Sequence, residues 1–545
     1  MAPMAVSPER EPLPETLEAL AAKFDDTLRF YLNGTKVVLD DIDPEITVLE
    51  YLRGIGLTGT KLGCGEGGCG ACTIVVSQYN PTTKQIYHAS VNACLAPLVS
   101  VDGKHVITIE GIGNTKRPHP TQERVAKGNG SQCGFCTPGI VMSLYALLRN
   151  NETPTEHDVE EAFDGNLCRC TGYRPILDVA QTFSVEKSFP NGLPKLNGDA
   201  NCCRQNGINN LEARDTNGCC KSDTNGTLSE NCATNNSTTN GTDGASQING
   251  GGCCMQNGGR PLSGGCCMQK KGLDDQPIKR FTPSGFIEYS PDTELIFPPA
   301  LKKQELRPLA FGNKRKKWYR PTTLNQLLQI KRVHPQAKII GGSSETQIEI
   351  KFKALQYPES VFVGDIAELR QCEFKEDHVE VGGNVTLTDL EGICEKAIKY
   401  YGHEQGQVFE GILKQLKFFA GRQIRNVGTP AGNLVTASPI SDLNPALWAA
   451  DAVLVTKSAT KETEIPVSQF FTGYRRTALA PDAIVASIRI PVTARKNEFY
   501  RSYKQAKRKD DDIAIVTGAL RVKIDDHGIV TECNLIYGGM AAMTS

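Results

Sequence analysis

Short β-branched runs dominate the first hundred residues, and helical periodicity follows them. Leu28 to Leu39 reads as two strands separated by Asn33-Gly34, a pair that favours the type I′ hairpin turn. Thr47 to Arg53 predicts a short helix. Thr73 to Tyr79 predicts a strand, Lys84 to His88 its hairpin partner, and Val106 to Glu110 the strand that closes the sheet. The pattern therefore predicts a small mixed β-grasp with one helix.

From Pro118 the period changes. Thr137-Pro138 reads as an N-cap residue followed by proline at the first helical position, and the apolar run Gly139 to Leu148 continues that helix. Thr155 to Phe163 predicts a second helix, with Asp158 completing an approximate capping box. A third is expected from Ile176 to Val185. Beyond about residue 190 the chain turns rich in Asn, Gly, Ser and Thr and repeats Gly-Gly-Cys-Cys-Met-Gln at 251–256 and 264–269. Such a tract buries too little apolar surface to offset ordering, so it reads as a disordered linker. Order resumes near Phe281, with a helix running from the Trp318–Thr323 segment through Arg332. Strands at Lys338–Ile340, Ser360–Val363, Ala452–Val455 and Ala483–Ile490 mix there with helices at Asp389–Lys399 and Phe409–Phe419. That mixture is an α+β domain, and a new unit begins near Phe499.

Length changes the picture from one domain to several, because 545 residues exceed the ~100–200 of a single core. The predicted division is a disordered tail over 1–25, a ferredoxin-type domain over 26–114, a helical-bundle domain over 115–189, the linker over 190–280, an α+β domain over 281–496, and the start of a further unit over 497–545. Charge excludes rather than assigns. With 60 basic and 61 acidic residues no field steers the chain to nucleic acid or to an anionic membrane. Met1 to Glu18 lacks a basic n-region and an apolar h-region, and no run approaches the ~20 apolar residues of a membrane span. An intracellular, reducing compartment is the expectation, and there cysteines serve as metal ligands more often than as disulfides.

The chain has 20 cysteines, nine of them in the linker at 202, 203, 219, 220, 232, 253, 254, 266 and 267. Vicinal pairs in flexible chain lack a fixed ligand geometry, so a tolerated insertion is preferred there to a metal-buffering segment. Four others are different. Cys64, Cys69 and Cys72 have C-x4-C-x2-C spacing in a glycine-rich loop, and Cys94 follows, which is the plant-type spacing for a [2Fe–2S] cluster. Glycine lets the backbone wrap an inorganic core and turn its amides towards the sulfides. Structural zinc is the rival, yet zinc ribbons use paired CxxC knuckles. Cys133, Cys136, Cys168 and Cys170 form C-x2-C-x31-C-x-C, ambiguous alone but read beside the first set as a second [2Fe–2S] centre.

Gly341-Gly342-Ser343-Ser344-Glu345 follows an apolar strand, where small residues let backbone amides approach a pyrophosphate. Alone it is a weak signal. The stretch from Phe418 to Asn433, followed by Ser438 to Asn444, adds glycine, hydroxyls, an aromatic ring and the Asp442 carboxylate, all of which a dinucleotide such as FAD would use.

These residues carry a resemblance. The order of C-G-F-C-T-P-G, N-L-C-R-C-T-G-Y-R-P-I, F-F-A-G-R-Q-I-R and T-A-S-P-I-S-D-L-N resembles the xanthine dehydrogenase family of molybdo-flavoenzymes, and the Cys-Cys linker is similar to that of fungal members. The resemblance implies a vanillyl-alcohol-oxidase (PCMH-type) FAD fold with Lys338, Ile339, Ile340, Gly341, Gly342, Ser343, Ser344, Glu345 and Thr346 as the pyrophosphate loop. Phe419 would flank the isoalloxazine, Thr429, Pro430, Ala431, Gly432, Asn433 and Asp442 would bind phosphate and sugar, and Val485 and Lys504 would complete the FAD contacts. Relatives commonly have Gly-Gly-Asn where this chain has Ala431-Gly432-Asn433, which questions the local amide geometry. Tyr474-Arg475 and Lys509-Asp510-Asp511-Asp512-Ile513 resemble the NAD-side loop; without the resemblance they read as solvated charged turns. The family continues into a molybdopterin domain that these 545 residues do not include. The implied function is thus an electron path from two clusters to FAD and on to NAD, in a cytoplasmic or peroxisomal homodimer. The alternatives are an aldehyde oxidase-like protein using oxygen and a non-catalytic iron–sulfur/flavin partner or fragment.

Overall fold

The computed structural model describes residues 24–184, 281, 283–312, 315–493, 496–508 and 511–545. The N-terminal tail up to residue 23 and the whole Cys-rich tract lie outside the described residues, as do the expectations placed on them. Asp25, assigned by composition to the tail, is ordered: its N–H donates to Pro308 O at 3.0 Å.

The hairpin forms as its turn chemistry dictates. Leu28–Leu32 pairs antiparallel with Thr35–Leu39, and Asn33 and Gly34 take φ of 50° and 84°. The sheet has five strands, in the order Thr35–Leu39, Leu28–Leu32, His105–Ile107, Thr73–Asn80, Gln85–Asn92, with one parallel pair, Leu28–Leu32 on His105–Ile107. The third strand stops at Ile107, and Glu110 instead lies in a short turn of helix, Ile109–Ile112. Val48–Gly54 packs on the sheet through Val48, Leu49 and Leu52 and starts at a capping box between Thr47 and Glu50.

The helical domain packs Thr137–Asn150, Glu156–Ala162 and Arg174–Ala180 around Ile140, Leu144, Leu148, Val159 and Ile176, and Pro120–Lys127 joins them through Val125 against Val141 and Val179. Thr155 and Asp158 make the expected capping box. Thr137 does not cap: Cys136 is the N-cap residue, and the Thr137 hydroxyl donates to Ser131 Oγ at 2.8 Å. Residues after the linker return to this domain before entering the next. His119 Nε2 and Glu294 Oε1 are 2.6 Å apart, Tyr289 OH donates to Leu148 O, and Arg124 Nη2 donates to Ile287 O at 3.3 Å.

The flavin-type domain has two layers of different parentage. A four-stranded mixed sheet runs Leu309–Gly312, Lys317–Arg320, Glu359–Phe362, Lys338–Ile340. An antiparallel five-stranded sheet runs Cys372–Phe374, His378–Gly382, Ile484–Pro491, Val453–Lys457, Glu462–Pro466. Leu387–Gln405 and Gln407–Lys417 cover the second sheet through Leu390, Ile393, Phe409 and Ile412. Glu498–Ala506, Ala514–Ile524 and Val530–Gly538 form a separate antiparallel sheet beyond them. None of the helices among the described residues is long and apolar enough to cross a membrane.

The first sheet of this domain is fused to the ferredoxin-type core, since Leu309, Phe311, Trp318, Ile340 and Phe362 share one apolar cluster with Leu28, Phe30, Val99 and Val106. A buried ion cluster lies at the same seam. Arg320, 1 % exposed, bonds Asp102 Oδ2 at 2.7 Å from the ferredoxin side and Asp365 Oδ2 at 2.8 Å from its own side, while Lys104 stands 3.6 Å from Asp365. Burial alone would raise the Asp365 carboxyl, but Arg320 and Lys104 outweigh it and bring it down to about 2. Removing one member of such a cluster leaves an uncompensated buried charge. Arg320→Met is therefore expected to lower stability by about 3–5 kcal/mol, read from urea unfolding of the full chain, and a loss below 1 kcal/mol would contradict this.

Two buried histidines give the sheet a pH dependence. Burial, reinforced by Arg149, pushes His88 down to about 3 and His105 to about 4. His105 Nε2 accepts from Gly34 N at 3.0 Å, a bond only the neutral ring can accept. An unfolded histidine titrates near 6.5, so below that pH the unfolded chain binds two protons that the fold refuses. The two histidines therefore contribute stability that is full well above pH 6.5 and is withdrawn, by up to about 2.7 kcal/mol per pH unit, as the pH falls below it. Denaturation series at several pH values check this: the stability difference between wild type and His88→Gln should change by up to about 1.4 kcal/mol per pH unit below pH 6.5, and a constant difference would contradict it.

Candidate functional site

The loop Gly63 to Cys72 is built as a cage. Cys64 N donates to Cys69 Sγ and Glu66 N to Cys64 Sγ, each at 3.4 Å. Asn92, at the end of Gln85–Asn92, holds the far wall: its Nδ2 donates to Gly67 O at 2.9 Å and its Oδ1 lies 3.6 Å from Cys72 Sγ. The side chains pair as Cys64 with Cys69 and Cys72 with Cys94. A hydrogen bond from Cys69 pulls Cys64 down to about 4, and Cys69 rises in exchange. Cys72 and Cys94 divide in the same way, Cys94 being lowered by Cys72. A site that so favours a thiolate suits metal ligation.

The second set pairs likewise, Cys133 with Cys170 and Cys136 with Cys168. An amide at Phe135 and the Cys170 thiol lower Cys133; burial pushes Cys136 up to about 12. Burial that would raise Cys168 is overcome by hydrogen bonds from Thr171, whose hydroxyl is 3.0 Å from the sulfur. Cys133 and Cys170 are exposed. Among the described residues no three His, Cys, Asp or Glu side chains gather as a ligand set for one ion. Two thiol pairs in each set fit a two-metal cluster with two thiolates per metal better than tetrahedral zinc.

One hydrogen bond joins the two sets. Leu167 N, adjacent to Cys168, donates to Cys69 O at 3.0 Å. Beside it Gly70 takes φ of 64°, and a Cβ there would lie 2.3 Å from Gly165 O, so only glycine fits.

The predicted dinucleotide segments also meet. Lys338–Ile340 runs into Gly341–Glu345, and a Cβ on Gly342 would lie 2.0 Å from Val427 O, so this loop packs directly on the Val427–Thr429 turn. Ser343 is buried with an unpartnered hydroxyl. Thr429 caps Pro430–Thr436 by accepting from Gly432 N at 3.1 Å, and Ala431 sits in ordinary helical backbone with its N–H on Gly383 O, so its methyl does not disturb the turn. Ser441 Oγ donates to Asn433 Oδ1 at 2.6 Å. The neighbouring Asp442 meets Lys504 Nζ at 2.9 Å, which also donates to Phe418 O, and Phe419 packs half-buried on the domain core. Burial raises Asp442 to about 6 against the pull of Lys504, and its Oδ1 has no partner. Unpartnered Ser343 and Asp442 oxygens and tight glycine packing suit a dinucleotide rich in phosphate and hydroxyl groups. Val485 is buried in the sheet behind, its carbonyl against Gly383. Within the loop itself, Lys338 and Glu345 are tied up in ion pairs, Lys338 with Glu349 at 2.7 Å and Glu345 with Arg475 at 2.7 Å, while Thr346 begins the helix Thr346–Lys353.

Of the charged acceptor-side residues, Arg475 is thus fixed on the predicted pyrophosphate loop, and Tyr474 is exposed. Lys509 and Asp510 lie outside the described residues. Burial raises Asp511 to about 7, with Asp164 adding to the effect. No described contact brings it to Arg475.

A second role for Arg422–Val427 is not visible in its residue types. These residues look like part of a nucleotide motif, but they dock on the iron–sulfur domains. Ile424 and Val427 join the ferredoxin-type core, and Asn426 Nδ2 donates to Ser90 O at 2.9 Å. Arg425 bonds Asp164 at 2.7 Å and Glu391 at 2.9 Å. Lys351 Nζ donates to Cys94 O. Polar and apolar residues are mixed there, as they would be in a ligand loop, so no local signal could have told the two apart.

Four domain families match in order: "2Fe-2S iron-sulfur cluster binding domain" at 30–99, "[2Fe-2S] binding domain" at 108–181, "FAD binding domain in molybdopterin dehydrogenase" at 310–493 and "CO dehydrogenase flavoprotein C-terminal domain" at 501–545. The chain is 59 % identical over 97 % of its length to a xanthine dehydrogenase of Emericella nidulans and 48 % over 96 % to one of Blastobotrys adeninivorans. It is 44 % identical over 95 % to a xanthine dehydrogenase/oxidase of Gallus gallus. It spans 35 %, 36 % and 36 % of these relatives' own lengths. Matched families in this order, over cysteine pairs and loops that fit their cofactors, make the chain a homologue of a portion of xanthine dehydrogenases, with two iron–sulfur domains and an FAD-binding domain.

Proposed function

We propose that the chain is the electron-transfer portion of a xanthine dehydrogenase. It would receive electrons from hypoxanthine or xanthine oxidised to urate at a molybdopterin domain, and deliver them to NAD. One observation carries this reading: Arg422–Val427 of the flavin-type domain sits on both iron–sulfur domains, and a single backbone hydrogen bond joins the two cysteine sets. Two [2Fe–2S] clusters supply one-electron steps, and FAD gathers two electrons for hydride transfer.

In this reading Cys64, Cys69, Cys72 and Cys94 hold the cluster on the flavin side, where Lys351 and Ile424 reach their loop. Cys133, Cys136, Cys168 and Cys170 hold the outer one, whose exposed edge would face the molybdopterin domain. Gly341 to Thr346 and Thr429 to Asn433 bind the FAD diphosphate and ribose, Phe419 flanks the ring, and Lys504 keeps Asp442 ionised for a sugar hydroxyl despite its burial. NAD approaches beside Tyr474. A cytoplasmic homodimer is the assembled form.

The purified chain should hold about four irons and one flavin. Cys72→Ser should halve the iron and remove one electron paramagnetic resonance signal while leaving the flavin bound. Unchanged iron would refute the ligand assignment. Asp442→Ala should weaken FAD retention about tenfold or more, by loss of a charged hydrogen bond, as measured by flavin release on dilution. Anaerobic NADH should bleach the flavin. A flavin that oxygen reoxidises but NADH cannot reduce would favour an aldehyde oxidase-like acceptor.

A further inference from the structure

Arg475 stands in a two-residue turn, Tyr474-Arg475, between the paired strands Phe471–Gly473 and Arg476–Thr477. The base of this hairpin is fixed: Phe471 is buried and stacks on Trp448, with ring centres 6.2 Å apart. Its second strand runs beside the helix Pro430–Thr436. The tip reaches the other predicted dinucleotide segment, because Arg475 Nη1 donates to Glu345 Oε1 at 2.7 Å, 130 residues away in the chain. Arg475 makes that reach at a φ of 53°, a left-handed conformation uncommon for a residue with a side chain and concentrated at ligand sites.

Glu345 is a poor neighbour for a diphosphate. It ends the glycine-rich loop, and a bare carboxylate there would repel the phosphate groups the loop would cradle. Five charged side chains meet at this point. Lys353 Nζ lies 3.2 Å from Glu345 Oε1, Arg475 Nη1 lies 3.5 Å from Glu349 Oε1, and Lys338 Nζ lies 2.7 Å from Glu349 Oε2. Tyr357 OH donates to the same Glu349 oxygen at 2.7 Å and holds that carboxylate in place. Three cations (Lys338, Lys353, Arg475) against two anions (Glu345, Glu349) leave the group at +1, and without Arg475 it is neutral. Of the three cations, Arg475 is the one paired with both carboxylates.

We propose that Arg475 is a positioning residue for FAD: by pairing with Glu345 it lets the glycine-rich loop accept a diphosphate, and it ties that loop to the hairpin that runs beside Pro430–Thr436. The inference rests on the FAD reading above. It gives the turn that carries Tyr474 a part in holding the flavin as well as in meeting the acceptor.

Flavin release on dilution of the purified full chain, followed by flavin fluorescence, tests it in wild type, Arg475→Met, Arg475→Lys, Glu345→Gln and the double variant Arg475→Met/Glu345→Gln. Arg475→Met should weaken FAD retention about tenfold with iron content unchanged. That loss should shrink in about 1 M salt, where the screening length is about 3 Å. Arg475→Lys keeps the charge and should lose less. The double variant carries the wild-type net charge and should regain most of the lost retention. A double variant as weak as Arg475→Met would overturn the inference, since removing the partner rescues a charge role and not a packing role. Faster release from Glu345→Gln alone would also overturn it, because the carboxylate would then serve the ligand itself. So would equal retention in wild type and Arg475→Met. A wild-type chain that takes up no flavin would overturn the FAD reading and this one with it.

Discussion

The constraint on which the structure depends is the enclosure of one small loop. A loop that presents three sulfurs to an inorganic core, with Cys94 supplying the fourth from a neighbouring turn, directs its amides inward, leaving carbonyls that must be satisfied from outside. The structure meets that need with three domains. Asn92 from the loop's own sheet takes Gly67 O, Leu167 N and Asn166 from the helical domain take Cys69 O and Gly70 O, and Lys351 from the flavin-type domain takes Cys94 O. The loop is therefore complete only in the assembled chain.

Such an arrangement needs domain positions fixed to fractions of an ångström, and the seams are built accordingly. Apolar fusion comes first: the Leu309–Gly312 and Lys317–Arg320 strands put Phe311 and Trp318 into the ferredoxin-type core, where an ordinary linker between domains would leave a wet, sliding interface. The Arg320 cluster then adds direction. A buried ion pair is a poor source of net stability, but its cost when misaligned is high, so it selects one register between Asp102 and Asp365 over neighbouring ones. The residues that return from the linker do the same for the helical domain through Glu294 and Tyr289.

Much of this was legible from sequence because the relevant signals are local. Asn33-Gly34 specifies a turn by its own backbone preference, Thr155 with Asp158 specifies a helix start, and C-x4-C-x2-C specifies a cage because one loop must supply three ligands. What could not be read depends on partners distant in the chain. The strands Leu309–Gly312 and Cys372–Phe374 carry too few residues for a period, and each exists because a sheet edge is offered to it. Thr137 looks like an N-cap, but its hydroxyl has a better partner in Ser131. Arg422–Val427 was the largest omission. Its composition suits a nucleotide loop, and only the fold reveals that Gln423 and Asn426 have hydrogen-bond partners 257 and 336 residues away.

The same distance in sequence explains why the flavin-side segment has two kinds of residue side by side. Thr429 packs against Gly341 of the glycine-rich loop, whereas Gln423 bonds Asn166, Arg425 bonds Asp164, and Ile424 and Asn426 meet the ferredoxin-type domain, so one short stretch serves both the predicted dinucleotide segments and the iron–sulfur domains. A shared segment shortens the path between them without any added element. It also couples them, because a shift of the Gly421–Val427 backbone that relieved strain at one site would be transmitted to the carbonyls of the other through Arg425, whose guanidinium donates to Phe419 O at 3.0 Å and to Ala420 O at 2.7 Å while bound to Asp164. Arg425 is 2 % exposed and held at both ends, so rigidity at this joint is a property of the packing.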